Sequence, residues 1–155
     1  MRTLTKTITI RAPASKVWEV LTSPRLIPEW ADSFTPGATA ESEWLPGSEV
    51  VWTGDNGMVM RGQVTESVPD QTLRMTFPAG QAPDQDFDQV ESFTLEPQGD
   101  TTLLTATHGP FGAQGYEMME PPWDAAMAAI KSLAEGDASG RHLRDANSAD
   151  ISPPA

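Results

Sequence analysis

The sequence predicts an α+β domain. A curved antiparallel sheet of six to seven strands wraps around one long C-terminal helix, and two short helices follow the first strand. Three observations carry this. Trp123, Ala126, Met127, Ile130, Leu133 and Ala134 recur at i, i+3, i+4, i+7, i+10 and i+11, one apolar stripe on a helix, with Asp124, Lys131 and Glu135 off it. Most of the chain before that stretch alternates apolar and polar residues between turn signals, the pattern of half-buried strands. The chain has 155 residues, of which 38% are hydrophobic, enough for a single sizeable core. A flat sheet cannot cover one helix but a strongly twisted sheet can grip it, and the wide gap between helix and concave face predicts a cavity.

The elements follow in order. Thr3 to Ile10 is a strand with Leu4, Lys6, Ile8 and Ile10 on one side and four threonines on the other. Pro13 ends it. Ser15 is suited to cap a short helix through Leu21, whose apolar side is Val17, Trp18, Val20 and Leu21. A second short helix is expected from Pro24 to Trp30, made irregular by Pro28 inside it. Phe34 to Trp44 reads as a weak edge strand interrupted by Pro36 and Gly37. Ser48 to Thr53 and Met58 to Val68 read as a hairpin about Asp55-Asn56-Gly57, a type I′ signal. Gln71 to Phe77 follows the Pro69-Asp70 turn, and Pro78 to Asp88 is a polar loop. Asp88 to Glu96 and Thr101 to His108 form the last hairpin, turning at Gln98-Gly99-Asp100 and closed by Gly109-Pro110. Gly115 to Gly136 holds the long helix, with Pro121-Pro122 suited to its start and Gly136 to its stop. Residues 1–136 thus form the domain. Residues 137–155 have no aromatics and few large apolar side chains and are expected to be a disordered tail.

Composition narrows the function. The net charge of -12 and pI near 4.3 repel phosphate, so nucleic acid and anionic membranes are poor partners. No cysteine is present and histidines number two, which removes disulfides, thiolate metal sites and multi-histidine sites, so no metal or cofactor is expected. No apolar run reaches the ~20 residues that span a bilayer. The polar N-terminus shows no signal region, and the expected location is the cytoplasm.

Two clusters carry a family likeness. Ile10-Arg-Ala-Pro-Ala-Ser-Lys-Val-Trp-Glu-Val-Leu-Thr-Ser-Pro, followed by Ile27-Pro-Glu-Trp30, resembles the opening of the SRPBCC superfamily. Phe93-Thr-Leu-Glu-Pro97, followed by Thr102-Leu-Leu-Thr-Ala-Thr-His-Gly109, resembles the final hairpin of the branch named for activators of the heat-shock protein ninety ATPase. Trp123 matches the tryptophan that begins that branch's last helix, and the likeness covers residues 3 to 136. It implies the helix-grip fold shared with START lipid-transfer domains and the birch-pollen allergen, a hydrophobic pocket, and functions from ligand binding to polyketide cyclisation. The Pro121-Pro122 entry and the acidic loop at Asp84 to Asp88 depart from the pattern, at what would be the pocket mouth.

Strand parity names the pocket candidates. Trp52, Met58, Met60, Leu73, Met75, Phe77, Phe93, Leu95 and Leu104 face the helix, which offers Trp123, Met127 and Ile130, and Trp30 and Phe34 lie near the mouth. Each either lines a cavity or fills a solid core. The abundance of tryptophan and methionine suits an adaptable lining. His108 and Glu91 share the inward parity and are either an acid–base pair or a satisfied structural pair. Tyr116 either donates to a ligand or anchors a loop. Asp84, Asp86 and Asp88 alternate like a calcium loop but lack its glycine, and Leu95 stands in place of its glutamate, so they read as a solvated loop. The leading function is binding of a small hydrophobic or aromatic molecule without turnover, by a monomer or homodimer. The alternatives are an enzyme of the polyketide cyclase or hydrolase type, a co-chaperone-like activator of a heat-shock ATPase, and a structural protein with no ligand.

Overall fold

The computed structural model describes residues 1–82 and 85–136. The expectations for the 137–155 tail and for Asp84 lie outside the described residues. The elements are β1 (Arg2–Ile10), α1 (Ala14–Thr22), α2 (Ile27–Ala31), β2 (Thr39–Ser42), β3 (Glu49–Thr53), β4 (Val59–Val68), β5 (Thr72–Phe77), β6 (Gln89–Gln98), β7 (Thr101–Phe111) and α3 (Ala113–Ala134). Seven antiparallel strands form one curved sheet in the order β1-β7-β6-β5-β4-β3-β2. The meander from β2 to β7 is thus closed by β1, and α1 and α2 connect strands at opposite edges. This is the helix-grip arrangement.

The core lies between the sheet and α3. Leu4, Ile10, Leu73, Met75, Phe93, Leu95 and Leu104 come from the sheet, and Trp123, Ala126, Met127, Ile130 and Ala134 from the second half of α3. Val17, Val20, Leu21, Ile27 and Trp30 close it from α1 and α2. Two buried hydrogen bonds satisfy backbone acceptors there: the Trp30 indole N–H donates to Val20 O at 2.8 Å, and Thr102 Oγ1 donates to Ala12 O at 2.8 Å. The back of α3 is tied to β1 by Lys6, which reaches Glu120 at 2.8 Å and Asp124 at 2.9 Å.

Several boundaries differ from expectation. The long helix does not start at Pro121-Pro122; it starts at Ala113, and both prolines sit inside it. The residues ahead of them tolerate helix, and Tyr116 N–H already donates to Gly112 O at 2.9 Å. Proline supplies no N–H, so the carbonyls of Glu117 and Met118 lose their i+4 donors and the ladder is interrupted. α3 therefore has two parts with different duties, an entry segment over the sheet's open end and a core segment beyond the prolines. α1 is not capped by Ser15, which lies in its first turn; Pro13 O takes the first helical N–H groups, from Lys16 and Val17. Pro28 does not break α2, because the helix begins at Ile27 and the ring falls in its first turn.

The weak strand shrinks to β2, after a turn at Gly37 (φ 75°) and before Trp44 (φ 57°). The β3–β4 turn is not type I′. It is a longer loop through Gly54–Met58 in which Gly57 alone takes a positive φ, 87°, and Asn56 Oδ1 accepts from Met58 N–H at 3.0 Å. Met58 therefore belongs to the loop. β7 does not stop at His108; it continues through Gly109 and Pro110 to Phe111, and an irregularity in β1 between Arg2 and Leu4 accommodates the change of register. Gly109 allows this close approach, since a Cβ there would lie 2.9 Å from Thr3 Cα.

Candidate functional site

At the open end of the sheet a cavity of about 500 Å³ remains between the strands, α2 and the entry segment of α3. Trp30 of α2, with Phe34 and Ala38 just after it, forms one wall. Trp52, Met58, Met60 and Phe77 line the β3–β5 side, and Ala82, Gln85 and Gln89 the loop between β5 and β6. Glu91 and His108 face each other across β6 and β7. Phe111, Gly115, Met118 and Met119 cover the remaining side. Met118 is 66% exposed and marks the rim.

The structure thus brings Trp30, Phe34, Trp52, Met58, Met60, Phe77, Glu91 and His108 together around one space. It does not bring the other candidates there. Met75, Phe93, Trp123 and Met127 are buried in the core instead, because strand and helix parity put them inward but at the filled end. Tyr116 is not in the lining either: the Arg2 guanidinium stands over its ring at 3.9 Å, so it anchors α3 to β1. Of the further inward residues, Leu73, Leu95, Leu104 and Ile130 are likewise core.

Sequence reasoning missed Ala38, Ala82, Gln85, Gln89, Phe111, Gly115, Met118 and Met119. Four of these sit in the polar loop or at its junction with β6, or follow a turn, where no periodicity applies. The remaining four sit at the end of β7 and ahead of Pro121-Pro122, outside the apolar stripe that runs from Trp123 to Ala134. Gln85 is 6% exposed inside the loop read as solvated. Its amide donates to Phe77 O at 3.3 Å, and its Oε1 accepts from Gln81 N–H at 3.1 Å. Gln81 in turn exchanges two bonds with the Arg61 backbone, at 2.7 and 2.8 Å, so the loop is docked on β4. Among the described residues no group of three or more His, Cys, Asp or Glu is placed to hold a metal ion, and Asp88 instead accepts from Ala79 N–H at 2.9 Å.

Among the described residues two ionisable side chains line the space. The Trp123 indole N–H donates to His108 Nδ1 at 3.1 Å, so the imidazole is neutral with its proton on Nε2. Burial pushes His108 down to about 4. Burial pushes the Glu91 carboxyl up to about 7. Glu91 Oε2 lies 3.9 Å from His108 Nδ1, beyond hydrogen-bond reach of a nitrogen already engaged. The aromatic rings around them are interlocked: Trp30 meets Trp52 edge-on at 6.0 Å, Phe34 meets Trp123 at 4.9 Å, and His108 meets Phe111 at 4.8 Å. Among the described residues the lining contains no serine, threonine, cysteine, lysine or tyrosine, which leaves Glu91 and His108 as its reactive groups. Among the described residues no helix is long and apolar enough to cross a membrane.

Comparison with known proteins agrees with this architecture. Protein MLL2253 from Mesorhizobium loti is 26% identical, with a TM-score of 0.75 over 88% of this chain and 98% of that one. The Aha1 dimer from Colwellia psychrerythraea is 21% identical, with a TM-score of 0.71 over 87% and 97%. CalU16 from Micromonospora echinospora is 20% identical, with a TM-score of 0.69 over 94% and 82%. No curated protein sequence matches the chain. Residues 11–135, from the end of β1 to the last turn of α3, match a single family throughout, and the chain belongs to it: the Activator of Hsp90 ATPase homolog 1-like proteins.

Proposed function

We propose that this protein binds a small, mainly apolar molecule in the cavity between the open end of the sheet and the entry segment of α3, and does not convert it. The observation that carries the reading is the cavity of about 500 Å³, within the range of small-molecule sites, walled by tryptophan, phenylalanine and methionine. Apolar desolvation at ~25 cal/mol per Å² brings a modest ligand to roughly micromolar affinity without a charged contact. The test is titration with the neutral fluorophore N-phenyl-1-naphthylamine, followed by energy transfer from tryptophan. Saturable transfer, weakened by Met60→Arg in a variant that still melts cooperatively, supports the reading. No saturable transfer overturns it.

One observation favours a second reading. Glu91 and His108 share the cavity with values pushed apart to about 7 and about 4, as an acid–base pair of a cyclase or hydrolase would be. A substrate whose conversion is abolished by Glu91→Gln or His108→Ala, in folded protein, would establish the enzyme. A co-chaperone role has only the family's name behind it, and a fold does not fix a function.

A further inference from the structure

Glu91 is 9% exposed and lines the cavity, and its carboxyl accepts no hydrogen bond from any described residue. Its nearest polar neighbour, His108 Nδ1 at 3.9 Å, already accepts the Trp123 N–H. A buried carboxyl without a partner is costly, and such a group calls for an explanation. The neighbouring bases do not provide one. Lys6 is held by Glu120 and Asp124, Arg2 stands over Tyr116, and among the described residues neither lysine nor arginine lines the cavity. A ligand anion entering this space would lose its water, gain no cation and face a carboxyl inside a protein of net charge -12. A ligand cation would gain the missing partner of Glu91 in a space whose lining includes Trp30, Trp52 and Phe111.

Resting on the cavity reading above, we infer that the preferred ligand is an apolar molecule carrying a protonated amine, its ammonium seated at Glu91. The requirement makes binding pH-dependent. Glu91 is paired with His108 on β7 and Met75 on β5 and shares the cavity with Gly115, Met118 and Met119 of α3, and among the described residues Gln85 and Gln89 complete the polar lining. His108 is neutral above about 4, so Glu91 is the group that changes charge near neutrality. Burial holds its carboxyl up at about 7, and amine affinity therefore rises as pH rises to that value and levels off above it.

The test compares three molecules with one hydrocarbon body, 4-phenylbutylamine, 4-phenylbutanol and 4-phenylbutyrate, as competitors of N-phenyl-1-naphthylamine at fixed ionic strength. At about pH 8 the amine is expected to bind at least about tenfold tighter than the alcohol, with the carboxylate weakest. Between about pH 8 and pH 6 the amine should lose close to tenfold while the alcohol stays level. Glu91→Gln should erase the amine's advantage over the alcohol. Equal binding of amine and alcohol, tightest binding of the carboxylate, or an advantage that survives Glu91→Gln overturns the inference and leaves the cavity reading intact. If neither the naphthylamine nor any of the three competitors binds, the cavity reading falls and this inference falls with it. The pH series on the unaltered protein decides the matter even where the variant does not fold.

Discussion

Trp123 joins the packed interior to the cavity. Its ring is fully buried against Phe34, Phe93 and His108, and its N–H fixes the His108 tautomer. Trp123→Ala is expected to cost ~3–5 kcal/mol in a urea melt, the range for a large aromatic removed from a filled core. Trp123→Phe keeps most of the packing but leaves Nδ1 without a donor, at about 1–2 kcal/mol. Glu91 and His108 make a second prediction. Between 4.5 and 6.5 the folded pair holds one proton, on Glu91, and the unfolded pair also holds one, on His108, so folding exchanges no net proton and the pair's contribution is level with pH. Each single variant exposes the other group. In Glu91→Gln the depressed His108 remains, and its contribution, present above 6.5, is lost as pH falls toward about 4. In His108→Gln the raised Glu91 remains, and its contribution, present below 4.5, is lost as pH rises through about 7. Each swing should reach up to about 3 kcal/mol, read from melts across pH. Level curves in both variants would show that burial does not shift these groups.

Two elements set the shape of the cavity. β4 carries Gly62 at an inward position, where a Cβ would lie 2.6 Å from both Phe77 Cδ1 and Thr76 O. Glycine lets the Phe77 ring lie across the strand and form the cavity wall. Gly62→Ala must displace either ring or backbone, so a loss of about 1–3 kcal/mol is expected together with weaker probe binding. α3 is divided by Pro121 and Pro122, and its entry segment supplies Gly115, Met118 and Met119 to the lining. Replacing both prolines with alanine gives two carbonyls back their helical donors. The variant should gain about 1 kcal/mol or more, with slower amide exchange over residues 117–124. Unchanged exchange there would show that the interruption is satisfied by other means.

At the scale of the whole molecule, 22 acidic residues face 10 basic ones. Several of the bases are spent on pairs at the back of α3, such as Lys6 with Glu120 and Lys131 with Glu135. Self-repulsion therefore opposes the compact state, and screening it should stabilise the protein. Raising sodium chloride from about 10 mM to about 0.5 M is expected to raise Tm by a few degrees. A fall would mean that the surface ion pairs outweigh the net repulsion.

The α+β architecture, the strand alternation and the apolar stripe from Trp123 to Ala134 were legible in the chain itself. They depend on periods of two and 3.6 residues that neighbouring side chains create locally. The inward sense of Glu91 and His108 was legible for the same reason. Parity assigns a face, however, and not a depth along it. Met75 and Phe77 share one face of β5, yet Met75 is core and Phe77 lines the cavity, because their places relative to α2 and α3 are set by contacts between distant segments. Tertiary packing also decided that helix continues through Pro121 and Pro122, that the polar loop docks Gln85 on Phe77, and that β7 runs on to Phe111. In each case a local preference was outweighed by burial or by hydrogen bonds formed only after the sheet had curved around its helix.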